Sequence, residues 1–205
     1  DKNVRVILIC GKPDIFTAGN DLEDFMNMPS EGDLADRPVA QFMLYLIGVT
    51  KPVITAVAGA AVGIGTTMLL HCDMVYAADN AKFSMPFTRL GLCPEFASSM
   101  LLPQVVGYPR AAEKLLLGEP FSAEQAYDMG LINKILPQDQ LMPYALEQAA
   151  KLAKLPASSL RTTKSLLKAY QADKIKEKRM EENEHFSKML LSEEAKEAFI
   201  AFFEK

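Results

Sequence analysis

The chain has 205 residues, 49% of them hydrophobic and 23% charged, with a formal net charge of −4. That length supports one domain with a substantial core and room for a small appendage. The acidic balance offers no basic field for a polyphosphate, which argues against nucleic acid as a partner, although local basic residues could hold a small anion. No apolar run reaches a membrane span, so no membrane partner is expected, and Val4–Cys10 is too short an apolar stretch for a signal peptide.

The first element, Val4 to Cys10, is β-branched and apolar, as a strand buried on both faces should be. Gly11-Lys12-Pro13-Asp14 breaks it. A short helix is expected over Leu22 to Met28, an irregular polar stretch over Pro29 to Pro38, and an amphipathic helix over Val39 to Val49 that ends before Lys51-Pro52. Pro52 to Val57 reads as a second buried strand, Thr66 to Cys72 as a helix, Met74 to Ala78 as a third strand and Lys82 to Met85 as a fourth. Strand–helix–strand at this spacing predicts a mostly parallel sheet. Beyond Gly91 the chain is expected to be helical to its end. Ser122-Ala123-Glu124-Gln125 is a capping box for a helix that stops at Gly130, and two more helices span Met142 to Leu155 and Ser158 to Ala172. The segment from Lys174 to Lys205, with Phe199, Phe202 and Phe203, is expected to pack on a neighbour. Cys10, Cys72 and Cys93 lack metal-ligand spacing and read as reduced packing residues; no metal site is expected.

Several chemistries fail on spacing. "GIGTTM" (Gly63 to Met68) has methionine where a dinucleotide fingerprint has its third glycine, and there is no G-x-S-x-G elbow and no P-loop. Two loops keep their interest. "TAGND" (Thr17 to Asp21) follows the first strand and "AVGIGTT" (Ala61 to Thr67) the second. Both are small-residue backbone at the carboxyl ends of parallel strands, where ligands sit in open α/β sheets. Converging N–H groups there would make an oxyanion hole; equally, the glycines could serve tight turns and helix–sheet contact. In "LGLCPEFASS" (Leu90 to Ser99), Glu95 is either a solvated turn charge or a base kept from water.

Taken together these segments resemble the crotonase superfamily, the enoyl-CoA hydratase/isomerase family. "FTAGNDL", "KPVITAVAGAAVGIGTTMLLHCDMVYAADNAKFSMP" and "LPQVVGYPRAAEKLLLGEPFSAEQAYDMGLINKIL" each carry a motif of that family, over nearly the whole chain. The resemblance implies an α/β fold, a ClpP-like spiral of ββα units with helical C-terminal trimerisation segments. The spiral core is assigned to 1–135 and a helical subdomain for oligomerisation and CoA-pocket closure to 136–205. The family's first strands should precede Asp1, and the absence of an initial Met likewise makes a fragment the expectation. Acyl-CoA thioester is the implied substrate, no separate cofactor is expected, and a homotrimer or dimer of trimers is the implied assembly. A cytoplasmic, bacterial location is expected, mitochondrial or peroxisomal if the source is eukaryotic.

The resemblance also implies roles. The backbone N–H groups of Asn20 and Ile64 match the family's oxyanion donors, with Ala18, Gly19, Gly63 and Gly65 shaping their loops. The two glutamates that hold water in the hydratases fall on Thr67 and Phe87. "F-x-x-L-G-x-x-x-E", from Phe87 to Glu95, instead resembles the Δ3,Δ2-enoyl-CoA isomerase branch, with Glu95 as the one acid/base and Phe87, Leu92 and Phe96 drying its surroundings. Phe186 and Lys205 match CoA-contacting positions; Glu23 stands where a lysine is common, and Lys12 is the alternative cation. The expected activity is movement of a 3-double bond to trans-2 in fatty-acid β-oxidation. The alternatives are a hydratase-like lyase and a non-catalytic domain that binds acyl-CoA or a protein.

Overall fold

A computed structural model describes residues 1, 3–26 and 37–204. The chain alternates between two four-stranded sheets. Strands β1 (Ile7–Cys10), β3 (Val53–Val57), β5 (Met74–Ala78) and β8 (Lys134–Leu136) pair in that order and in parallel in the first sheet. Strands β2 (Ile15–Thr17), β4 (Ala60–Val62), β6 (Lys82–Ser84) and β7 (Phe121–Ser122) form the second, in which β7 runs antiparallel to β6. Each of β1, β3 and β5 is thus followed within a few residues by a partner in the other sheet, which makes the fold a mixed α/β crotonase spiral.

The pattern of β3 explains its position. All five residues of Val53-Ile54-Thr55-Ala56-Val57 are buried. Because successive side chains leave a strand on opposite faces, Val53 and Val57 enter the main core while Ile54 and Ala56 enter a second one. The main core lies between the sheets, around Phe83, Met85 and Phe96. Leu141 and Ala145 of helix α7 (Gln138–Lys154) cover the second, on the outer face of the first sheet. Burial on both faces accounts for the uninterrupted apolar run.

Helices α1 (Leu22–Met26), α2 (Pro38–Gly48) and α3 (Ile64–Thr67) connect the early strands, and residues Met68–His71 continue α3 as a 3-10 turn. After β6 come α4 (Ser98–Val106), α5 (Tyr108–Leu117) and α6 (Ala123–Asp128); after β8 come α7, α8 (Ala157–Ala169), α9 (Ala172–Leu190) and α10 (Glu193–Phe203). The expectation of helix throughout the region beyond Gly91 is corrected by β7 and β8, each no longer than three residues and too short to leave a periodic signal. The polar stretch expected from Pro29 lies almost wholly outside the described residues. Cys72 and Cys93 are half-buried, but Cys10 is exposed, so the reading of all three as packing residues does not hold for it. Among the described residues no helix is long and apolar enough to cross a membrane.

Helix α8 is tied to the core by a buried lysine. Lys164 Nζ donates to Asp73 Oδ2 and to Lys51 O, both at 2.7 Å, and the same Asp73 oxygen accepts from Val53 N at 2.7 Å. The capping box forms as expected: Ser122 Oγ accepts from Gln125 N at 3.3 Å, and Gln125 Oε1 accepts from Ser122 N at 3.0 Å. Replacing Ser122 with Ala should lower stability by about 1 kcal/mol in urea unfolding, because it removes the side-chain acceptor of Gln125 N–H.

Candidate active site

The two small-residue loops meet because their glycines let backbone approach backbone. A Cβ on Gly19, whose φ is +93°, would lie 2.9 Å from Val62 O, and one on Gly65 would run into the Thr17 side chain and stand 3.2 Å from Thr17 O. Each contact joins the loop after β2 to the loop after β4, so neither position accepts a side chain without parting them. Among the described residues, Asn20 N–H and Ile64 N–H donate no hydrogen bond, whereas Gly63 N donates to Ser84 O at 2.9 Å and Gly19 N to Thr17 Oγ1 at 3.2 Å. Ile64 opens α3, where the first N–H groups have no partner within the helix.

These loops form one wall of a cleft of about 860 Å³. Ala18, Gly19, Asn20, Gly63, Ile64, Phe87, Leu92, Glu95 and Phe186 all face it. Gly65 does not; it sits behind the wall against Thr17. Phe186 is a core residue as well as a lining one: it is 6% exposed, and Phe25 of α1 packs edge-on against it with ring centroids 6.0 Å apart. Phe25 also stacks on Phe199 of α10 at 6.4 Å, so the C-terminal helices close the cleft over the segment that follows Asn20. Lys205 lies outside the described residues. Lys12 does not line the cleft, whereas Arg89, which sequence reading passed over, does line it, beside the exposed acids Asp21 and Glu23.

Glu95 is the buried carboxylate of this wall, at 5% exposure, and among the described residues its Oε1 has no hydrogen-bond partner. Its apolar neighbours Phe87 and Leu92 are buried with it. Burial, aided by the negative charge of Glu182, pushes its pKa up to about 8. Thr67 is fully buried, its hydroxyl unpartnered among the described residues, and Phe87 lines the cleft; neither carries a carboxyl group. A carboxylate facing apolar surface, close to free N–H donors, can take a proton from carbon and return it while water is kept away.

The backbone behind Glu95 is strained. Phe96 and Ala97 have φ of +61° and +58°, a left-handed conformation that costs non-glycine residues about 1–3 kcal/mol each. Several groups hold this turn. His71 Nε2 pairs with Phe96 O at 2.8 Å, and its ring stacks on that of Phe96 at 4.0 Å. Burial lowers the His71 pKa to about 4, so the ring is neutral and donates to the carbonyl. Ser98 Oγ donates to Glu95 O at 2.6 Å. Glu182 of α9 accepts from Ala97 N at 2.5 Å, Ser99 N at 2.9 Å and Ser99 Oγ at 2.5 Å. Sequence reading missed Glu182 and His71. Glu182 lies 87 positions from Glu95 in a charged helix, and nothing local marks it as buried. Among the described residues no three His, Cys, Asp or Glu side chains are grouped as a metal would need.

A family model described as enoyl-CoA hydratase/isomerase matches residues 1–205. Enoyl-CoA delta isomerase 2 of Rattus norvegicus is 32% identical over 96% of this chain, and the chain spans only about half of that relative, 51%. The 2,3-dehydroadipyl-CoA hydratase of Escherichia coli is 32% identical over 100% of the chain and 80% of its own length. Among solved structures, Pseudomonas aeruginosa OdaA superposes with a TM-score of 0.95 at 44% identity, over 100% of this chain and 83% of that one. With the alternating sheets, the paired glycine loops and a match along its entire length, this chain belongs to the enoyl-CoA hydratase/isomerase family.

Proposed function

We propose that the protein is an enoyl-CoA isomerase that moves a 3-double bond to trans-2 in an acyl-CoA thioester, with Glu95 as the one acid/base. The observation that carries this reading is the buried Glu95 carboxylate in the cleft, its Oε1 unpartnered among the described residues; the family resemblance puts Thr67 and Phe87 where the hydratases carry their acids. The thioester oxygen accepts hydrogen bonds from Asn20 N–H and Ile64 N–H. Glu95 takes a proton from C2; the C2–H electron pair delocalises into the thioester as an enolate, held by those donors. The same carboxyl group returns the proton to C4, the C3–C4 double bond becomes C2–C3, and Glu95 is again ionised. Adding water would require a second group to position and split it, and the cleft wall holds phenylalanine there instead.

The pocket closed by Phe186 and Phe202 suits the apolar part of such a substrate. The exposed Leu166 and Leu167 of α8 and Tyr170 at its C-terminal end support assembly with further copies of the chain, as a trimer or hexamer. A hydratase reading draws support from the similarity to the 2,3-dehydroadipyl-CoA hydratase.

A paired assay separates the two. Turnover of 3-hexenoyl-CoA with little hydration of crotonyl-CoA is expected, and robust hydration would refute the isomerase reading. Glu95→Gln should keep CoA-thioester binding and lower isomerisation by about 10²–10⁴-fold. The pH dependence has a definite sign. Glu95 must be ionised to accept the C2 proton, and it is protonated below about 8 in the free protein. The kcat/KM should therefore rise with pH and level off above that value, and a profile flat from pH 6 to 9 would contradict the assignment.

A further inference from the structure

Glu182 belongs to no wall of the cleft, yet its carboxylate sits directly behind the base. It is 5% exposed and takes three hydrogen bonds, two from backbone N–H groups at the start of α4 and one from the Ser99 hydroxyl. A carboxylate buried this deeply is retained when donors surround it. Those donors lie in the segment that follows Glu95, where two consecutive non-glycine residues have positive φ. Strain of that kind persists only where surrounding contacts over-determine it. Glu182 is carried by α9, a helix from the far end of the chain that also brings Phe186 into the cleft.

We propose that Glu182 is a positioning residue: its carboxylate, delivered by α9, holds the Phe96–Ala97 turn and so fixes Glu95 in the cleft, making the docking of α9 a condition for a competent base. This rests on the reading of Glu95 as the acid/base. An electrostatic consequence follows from the same placement. The groups around Glu95 are Cys93 on its own loop, His71 beneath Phe96, Glu182 with Lys178 on α9, and Asp21, Glu23 and Arg89 along the cleft. Burial keeps the Cys93 thiol and the His71 ring uncharged near neutral pH. Lys178 pairs with the exposed Glu181 at 2.5 Å. Burial raises the Glu182 pKa too, while its bonds from Ser99 and Ala97 favour its charged form, and in that form Glu182 is the charge that opposes ionisation of Glu95.

The test uses Glu182→Gln in the full chain. The amide keeps one acceptor oxygen, but its NH2 cannot accept from the second backbone N–H, and the charge is gone. The readouts are kcat and KM on 3-hexenoyl-CoA, together with the protonation midpoint of Glu95. That midpoint comes from infrared difference spectra between each protein and its Glu95→Gln counterpart, and it does not depend on turnover. The expected result is a kcat lowered about tenfold or more at nearly unchanged KM, and a midpoint lowered by about one unit. A Glu182→Gln protein that folds with wild-type kcat and midpoint overturns the proposal. If that variant does not fold, Ser99→Ala, which keeps the charge and removes one donor, decides: a lower kcat at unchanged KM supports the proposal, and wild-type kcat overturns it. A midpoint that falls in Glu182→Gln while the wild-type protein leaves 3-hexenoyl-CoA untouched supports the hold of Glu182 on Glu95 and refutes the isomerase reading instead.

Discussion

A carboxylate taken out of water, with no hydrogen-bond partner on Oε1 among the described residues, is the constraint from which the rest of the site follows. Desolvation favours the neutral acid, so burial converts an ordinary glutamate into a group that gains a proton readily near neutral pH. Phe87, Leu92 and the C-terminal helices supply the apolar walls, and the fold accepts two residues of left-handed backbone to aim the side chain. An exposed glutamate on a relaxed turn would be a weaker base surrounded by water.

The spiral matters because it brings two loops from different ββ units together. Gly19 and Gly65 permit a backbone approach that any side chain would obstruct, and among the described residues the N–H groups of Asn20 and Ile64 donate no hydrogen bond. Nothing in this arrangement depends on the side chains of Asn20 or Ile64, because the donors are main-chain atoms. Helix α10 and Phe25 then roof the cleft, so its interior depends on elements from the two ends of the chain.

Local patterns carried much of this in the sequence. The apolar run of β3, the strand Met74–Ala78 and the Ser122 capping box were legible because each depends on near neighbours in the chain. The short strands β2, β4, β7 and β8 were not, since two or three residues hold few periods and theirs sit inside loop or helix signals; β6, as short, was read from the Lys82-Phe83-Ser84 alternation. At the site, the motif spacing led to Glu95, Asn20 and Ile64, all of which face one cleft. Glu182 and His71 escaped notice because their importance comes from burial against a distant turn, and α9 reads locally as a solvated, charged helix. Arg89 was overlooked within a motif valued for its glutamate.

The central claim is that one carboxyl group carries a proton from C2 to C4 in a site shielded from solvent. The most direct measurement follows a 3-enoyl-CoA deuterated at C2, converted in ordinary water and examined by NMR for deuterium at C4 of the trans-2 product. A single shielded acid/base predicts that a measurable share of the label reappears at C4. Complete loss of label to solvent during turnover, or a 3-hydroxyacyl-CoA as the main product, would contradict it.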